Sequence, residues 1–321
     1  MKLAVVIIGR NEGARLIRGL ASVRDAKRVV YVDSGSTDGS QEMAVAMGAE
    51  LVELDMSQPF TAARARNAGI NRLRDQGDKP DLVQFMDGDC ELQKGWLKAA
   101  QSFIADHPGV GVVFGRRRER FPQDTIYNRM CDWEWDVPLG ERRSCGGDAL
   151  IRMEALDEIG GYDPKLIAGE EPELCVRLRA VGWRIWRIDE EMTLHDAAMN
   201  RFGQYWSRAR RAGHAWAEGA VLHGAAPERH CIDQVRRALL WGAGVPVAVI
   251  LLSLLLTPWA FLLLIVYPVR ALRIAMREGA SRVAWERAWL LSIGKFAETV
   301  GIIEYHARRL LGRPRGLIEY K

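Results

Sequence analysis

The sequence predicts an α/β fold, a mostly parallel sheet with flanking helices, joined to C-terminal helices that associate with a membrane. Three observations lead there. Short apolar runs alternate with helical patterns as far as Phe114, two of these runs end in acidic turns, and Val245–Val269 is almost wholly apolar. Strand–helix alternation over a domain's length argues for a sheet covered on both faces.

In order, strands are expected at Leu3–Ile8, Arg28–Val32, Glu50–Leu54, Leu82–Met86 and Val110–Phe114, and helices near Ala14–Val23, Gln41–Met47, Thr61–Arg74 and Gly95–Ala105. Ser40 and Thr61 stand at N-cap positions and Gly48 at a C-cap. The opening run ends at once in Arg10-Asn11-Glu12. A signal peptide needs a longer apolar core and a small-residue cleavage site, so this run reads as a first strand, and the sheet-forming part is expected to stay in the cytoplasm. From Arg116 to about Gly224 the pattern is less regular. A helix is expected from Pro172, with Gly182 after its end, then a strand at Trp183–Ile188. Two domains are expected, 1–225 and 226–321.

The C-terminal region reads differently. A helix needs roughly 20 apolar residues to cross a bilayer, which the run 245–269 supplies. Pro258 sits in its middle and either kinks it or turns it back as a re-entrant hairpin. Arginines flank both sides (Arg229, Arg236, Arg237; Arg270, Arg273, Arg277), so the positive-inside rule assigns no orientation. The alternative is a buried helix of a soluble domain. Further on, Trp285, Trp289, Ile293, Phe296, Val300 and Ile303 recur at steps of three and four. They predict an amphipathic helix over about 284–305, in a membrane interface or against a partner helix. The tail Arg308 to Arg315 is basic and suits an anionic leaflet.

Bulk properties exclude some classes. With 45 basic and 41 acidic residues in 321 the net charge is +4, which does not suggest a nucleic-acid binder. Five scattered cysteines with no C-x-x-C pair point to free thiols rather than a zinc site or disulfide framework.

The acidic turns carry the chemistry. Asp87-Gly88-Asp89 follows the strand Leu82–Met86, and Asp33 to Ser40 follows Arg28–Val32. In an open α/β sheet ligands bind beyond the carboxyl ends of the strands. Two acidic turns at that edge suggest a hard divalent cation, which takes oxygen ligands and bridges carboxylates to phosphates. Each turn alone also reads as an ordinary loop, because Asp and Gly are common turn residues.

In order along the chain, the motifs resemble the family 2 glycosyltransferases of the GT-A fold. Val5 to Glu12 is similar to that family's opening strand, Val32 to Ser40 to its nucleotide-binding turn, and Ala65-Arg66-Asn67-Ala68-Gly69 to the helix that follows. Asp87-Gly88-Asp89 resembles its metal-binding D-x-D, Gly147 to Asp163 its acceptor segment, and Gly169-Glu170-Glu171-Pro172-Glu173 its catalytic-base motif. The resemblance implies Asp89 as metal ligand, Asp87 on metal or ribose, Glu12, Asp33 and Asp38 on the nucleotide, Arg66 near the diphosphate, and Glu171 as base. It offers His195 as a further metal ligand, equally readable as a hydrogen-bonded loop histidine. The cation would be Mg2+ or Mn2+. A base beside a helix N-terminus is expected to stay ionised. The family usually has Glu-Asp where this chain has Glu170-Glu171, which leaves both glutamates open as the base. Arg116-Arg117-Arg118 and Arg142-Arg143 are read as a solvated basic face or as contacts to a lipid-linked pyrophosphate.

The implied activity is inverting transfer of one sugar from a nucleotide-diphosphate sugar to a hydroxyl of a glycan or lipid-linked acceptor, at the cytoplasmic face of the inner membrane. Processive relatives carry Q-x-x-R-W. Here Gln204-Tyr205-Trp206-Ser207-Arg208 has the wrong spacing, which favours single addition. Two other readings are a sugar nucleotidyltransferase and a non-catalytic membrane scaffold. The first needs a glycine-rich basic loop after strand one, and Gly9 to Gly13 makes a poor one; the intact acidic set argues against the second.

Overall fold

A computed structural model describes residues 1–75, 77 and 79–312. The chain divides into two compact units, residues 1–122 with 131–198, and residues 123–130 with those from 199 onward. This division groups residues 199–225 with the C-terminal helices.

The first unit follows the predicted alternation closely. It runs β1 (Leu3–Gly9), α1 (Ala14–Ser22), β2 (Val29–Asp33), α2 (Ser40–Ala46), β3 (Glu50–Glu53), α3 (Ala62–Asp75), β4 (Leu82–Asp87), β5 (Cys90–Leu92), α4 (Trp96–Asp106) and β6 (Val110–Glu119). After α5 (Ile126–Glu134) come β7 (Gly140–Arg142), β8 (Ala149–Arg152), α6 (Met153–Ile159), α7 (Glu170–Ala180) and β9 (Arg184–His195). The sheet order is β3-β2-β1-β4-β8-β6-β9-β5, with β7 paired to β9. The pairs β1–β2, β1–β4, β2–β3 and β6–β9 are parallel, whereas β8 lies antiparallel between β4 and β6, and β5 and β7 run antiparallel to β9. The sheet is therefore mixed. Val5, Val6, Ile7, Val30, Val32, Val83 and Phe85 are wholly buried at its centre, as expected where both faces are covered.

The caps divide. Thr61 caps α3 by accepting from Arg64 N–H, and Gly48 ends α2 at φ +86° with Ala49 N–H donating to Ala44 O, a Schellman closure. Ser40, expected as an N-cap, is the first helical residue instead. Gly39 holds the cap position, and Asp38 before it accepts from Ser40 N–H and Oγ. Helix α7 begins at Glu170, before Pro172, because Gly169 supplies the left-handed turn at φ +79° that starts it.

The second unit is helical: α8 (Phe202–His223), α9 (Ile232–Leu239), a π-turn at Leu240–Gly244, α10 (Val245–Leu255), a 3-10 helix Pro258–Ile265, α11 (Val266–Arg277) and α12 (Arg282–Leu310). Ile232–Leu255 and Pro258–Arg277 are each long and apolar enough to cross a membrane, at 24 and 20 residues. The predicted amphipathic helix exists as α12, but its packed face differs from the expected stripe. Trp289, Val300 and Ile303 stay exposed, while Ala284, Ala288, Ala297 and Gly301 are buried. The partner-helix alternative applies: a Cβ on Gly301 would meet Arg210 O at 1.9 Å, and one on Gly213 would meet Glu298 O at 2.0 Å, so α8 and α12 approach backbone to backbone. Of the basic tail, 313–315 lie outside the described residues.

Candidate active site

Register brings three strand ends together. Gly9 pairs with Asp33, and Ile8 pairs with Asp87, so both acidic turns leave the sheet at one edge. Gly88 is required there, since a Cβ would lie 2.9 Å from Glu12 Cγ and 3.2 Å from Ile8 O.

The Glu12, Asp33 and Asp38 group is built as one cradle. Asp33 is buried and accepts from Gly35 N–H (2.9 Å), Ser36 N–H (2.8 Å), Gln41 Nε2 (2.8 Å) and the Tyr31 hydroxyl (3.1 Å). Burial alone would raise its pKa; the donors from Gln41 and Ser36 outweigh that and hold it below the usual value. Asn11 ties the first turn to the second, accepting from Thr37 N–H at 2.8 Å and donating its own N–H to Ser36 Oγ at 2.9 Å. Glu12 pairs with Arg15 at 2.9 Å.

A second group centres on Arg66, on α3, whose side chain is 2% exposed. Its guanidinium lies 3.0 Å from Asp87, 3.0 Å from Glu170 and 2.8 Å from Glu171. Burial would lower its pKa, and the surrounding carboxylates, Glu171 and Asp87 first, drive it well above normal instead. Arg66 is thus buried at the site and does not face solvent. Gly147 closes over this junction, where a Cβ would sit 2.7 Å from Arg66 Nη2, 3.0 Å from Asp87 Oδ2 and 3.2 Å from Glu171 Oε1. Glu171 is pushed up to about 7, by burial first and then by the Glu170 charge beside it. Burial and the Glu170 charge act against the ionised form that the helix terminus favours.

The third group is Asp89 with His195. Antiparallel pairing of β5 with β9 sets Cys90 opposite His195 and brings His195 Nε2 to 3.3 Å from Asp89 Oδ2. His195 ends a strand, rather than lying in a loop. Burial, then Arg117, lowers its pKa, so the ring is neutral and able to ligate. Donor atoms of Asp89, Cys90 and His195 lie within 4.8 Å of one another, as do those of Asp87, Cys90 and Asp148. Adjacent ligands of an octahedral cation at 2.0–2.1 Å are separated by about 3.0 Å, so the Asp89–His195 pair fits one. Cys90 fits less well: burial and then Asp148 raise its pKa far above normal, keeping a protonated thiol.

Sequence reasoning named Arg117 only as one of a basic run and did not single out Asp148, and both belong to this group. Arg117 reaches Asp87 at 3.1 Å and Asp148 at 3.4 Å, and its guanidinium stands 4.8 Å over the Trp135 ring. Its neighbours behave differently: Arg116 is buried against Asp132 at 3.1 Å, and Arg118 pairs with Glu191 at the surface. Register shifts in β6 around Arg116 separate the three, and no composition signal carries that. Asp148 accepts from Asp87 N–H (3.1 Å) and the Thr193 hydroxyl (2.7 Å). Its signal was the Gly-Gly-Asp run before β8.

Residues 4–160 match the model of Glycosyl transferase family 2. They form a family 2 glycosyltransferase domain. The succinoglycan biosynthesis protein ExoA of Rhizobium meliloti is 27% identical over 192 residues, covering 56% of this chain and 57% of that protein. The pre-mycofactocin glycosyltransferase of Mycobacterium tuberculosis is 25% identical over 205 residues, 60% of this chain and 42% of its own length. The chain thus matches about half the length of these curated relatives. Among solved structures, the mannosyltransferase PcManGT from Pyrobaculum calidifontis, in complex with GDP-Man and Mn2+, superposes with a TM-score of 0.64 at 20% identity, over 94% of this chain and 87% of that one. Glucosyl-3-phosphoglycerate synthase from M. tuberculosis, bound to Mn2+, UDP and phosphoglyceric acid, gives 0.51 at 18% identity, over 68% and 78%. The glycosyltransferase domain shares the GT-A fold with these structures.

Proposed function

We propose that the domain transfers one sugar, with inversion, from a nucleotide-diphosphate sugar to a hydroxyl of a glycan or lipid-linked acceptor at the cytoplasmic face of the inner membrane. The observation that carries the reading is the Arg66 junction. One buried cation joins Asp87, on the metal-and-nucleotide turn, to Glu171, on the acceptor side, with Gly147 leaving room between them.

Each residue then has a task. Glu12, Asp33 and Asp38 shape the cradle for the nucleoside. Asp89 and His195, with Asp87 adjacent, would hold Mg2+ or Mn2+, and the imidazole favours Mn2+. When bound, such a cation supplies Lewis-acid stabilisation of the departing diphosphate. Arg66 and Arg117 add fixed positive charge at the same edge. Glu171, with a pKa of about 7, is poised to take the acceptor hydroxyl's proton as that oxygen attacks the anomeric carbon. Direct attack from the face opposite the leaving group inverts the centre. The apolar C-terminal helices and the one relative named for succinoglycan biosynthesis support an acceptor presented at a membrane.

The test is a panel of UDP-, GDP- and dTDP-sugars with Mn2+ or Mg2+ on the full chain, read by thermal shift and by nucleoside diphosphate release. A donor that stabilises the protein and is consumed only with acceptor supports the reading. Pyrophosphate formed from a nucleoside triphosphate and a sugar phosphate would replace it with nucleotidyl transfer.

A further inference from the structure

Within the second unit the apolar run leaves the other helices and returns to them at one place. Trp241 and Tyr267 meet there: the Tyr267 hydroxyl donates to Trp241 O, and their rings lie 6.1 Å apart. Arg270 locks the junction, with its guanidinium 4.9 Å over Trp241 and a 2.8 Å bond to Ser292 Oγ. Between these anchors the chain turns at Thr257, whose side chain caps the 3-10 helix through Trp259 N–H. Beyond the junction the hairpin is bare. Leu254, Leu255, Leu256 and Trp259 are 76–78% exposed, and only 11% of the first helix's most apolar stretch is buried.

Charge is distributed to match. No Asp, Glu, Lys or Arg occurs between Arg237 and Arg270, and Arg236, Arg237, Arg273 and Arg277 are exposed just outside the two ends. Because the run is a hairpin, both basic flanks lie at its base. That removes the ambiguity of a single span with arginines on both sides. The hairpin is also too short to cross. At 1.5 Å per residue the arm from Gly242 to Leu256 reaches about 22 Å, against a hydrocarbon core of about 30 Å. The helix Ile232–Leu255 has a spanning length of 24 residues only if α9 is counted, and α9 carries Arg236 and Arg237 and packs Ala238 against Ala217, Ile302 and Tyr305.

We propose that residues 242–266 form a re-entrant hairpin that enters an anionic bilayer from one side and ends inside the hydrocarbon, with the arginines at its base against lipid headgroups. At the tip, Leu256 N–H and Thr257 N–H donate to Leu252 O and Ala260 N–H donates to Thr257 O, which limits the unpaired backbone that insertion would expose, and the basic base suits an anionic surface. The proposal rests on membrane association of the C-terminal region and is independent of the transfer reaction.

The test uses the full chain bound to sealed vesicles of phosphatidylethanolamine and phosphatidylglycerol, with Leu256→Cys, Arg282→Cys and Asp25→Cys variants and the unmodified chain as background. Flotation is measured first, then labelling by a membrane-impermeant maleimide outside or trapped inside. Arg282→Cys and Asp25→Cys are expected to label from outside only, and Leu256→Cys from neither side until detergent is added. Inside labelling of Leu256→Cys would mean the hairpin crosses, and outside labelling would mean its tip sits in water; either overturns the proposal. Failure to float, with a discrete dimer on sizing, would assign the apolar surface to a second copy of the chain. Nucleoside diphosphate release by the same preparations reports separately on the transfer reaction.

Discussion

Arg66 holds three carboxylates, Asp87, Glu170 and Glu171, against one buried guanidinium. Removing it with Arg66→Ala strands Asp87, Glu170 and Glu171, and breaking a buried pair of this kind costs about 3–5 kcal/mol. Chemical denaturation should show that loss, with Arg66→Lys recovering only part because an ammonium cannot serve three partners with a planar fork. Glu171→Gln is nearly isosteric and keeps a hydrogen-bonding oxygen, so folding and donor binding should survive while turnover falls about 10²–10⁴-fold, the usual contribution of a general base. The sign of the pH dependence follows from its position. The ionised base is the active form, so kcat/KM should rise as pH climbs through about 7 and level off above it. In Glu171→Gln that acid limb should vanish, and a limb retained there would move the base to Glu170.

At the scale of elements, the closest packing is made by glycines. Gly301→Ala should force α8 and α12 apart, because the new methyl would meet backbone rather than a movable side chain, and a loss of about 1–3 kcal/mol is expected in thermal unfolding. Gly203→Ala, in the first turn of α8 with open space around it, should be neutral or stabilising by up to about 1 kcal/mol. These glycines also show where sequence reading stopped. Strands β1 to β4 were legible to within a residue or two because β1, β2 and β4 read as largely apolar buried runs bounded by turns. The α12 face was not, since periodicity selects large apolar residues and close helix contact selects small ones. Helix α7 began early because a left-handed glycine outranked a proline as a start signal. Asp87, Asp89 and Glu171 were visible as motifs at strand and helix ends. Arg117 could not be told from Arg116 and Arg118 because the β6 register is irregular, and His195, offered as a ligand by resemblance, gained a geometric reason only once β5 lay against β9.

Across the whole molecule, the acidic turns, the Arg66 junction and the β5–β9 pairing converge on one sheet edge, although their residues are spread from Glu12 to His195. Convergence of that kind makes the cation the natural point of test, because it would join the cradle to the leaving group. Removing divalent ions with EDTA should abolish donor-dependent thermal stabilisation, and Mn2+ should restore it more fully than Mg2+. His195→Ala should narrow the difference between the two ions. The most direct measurement is calorimetric titration of the full chain with the best nucleoside diphosphate from the donor panel, with and without Mn2+, in the unmodified protein and in Asp89→Asn. Mn2+-dependent binding in the unmodified chain that is lost in Asp89→Asn, with both folded by circular dichroism, is the expected result. Equal Mn2+-dependent affinity in the two proteins would contradict the assignment of this sheet edge as the metal–diphosphate site.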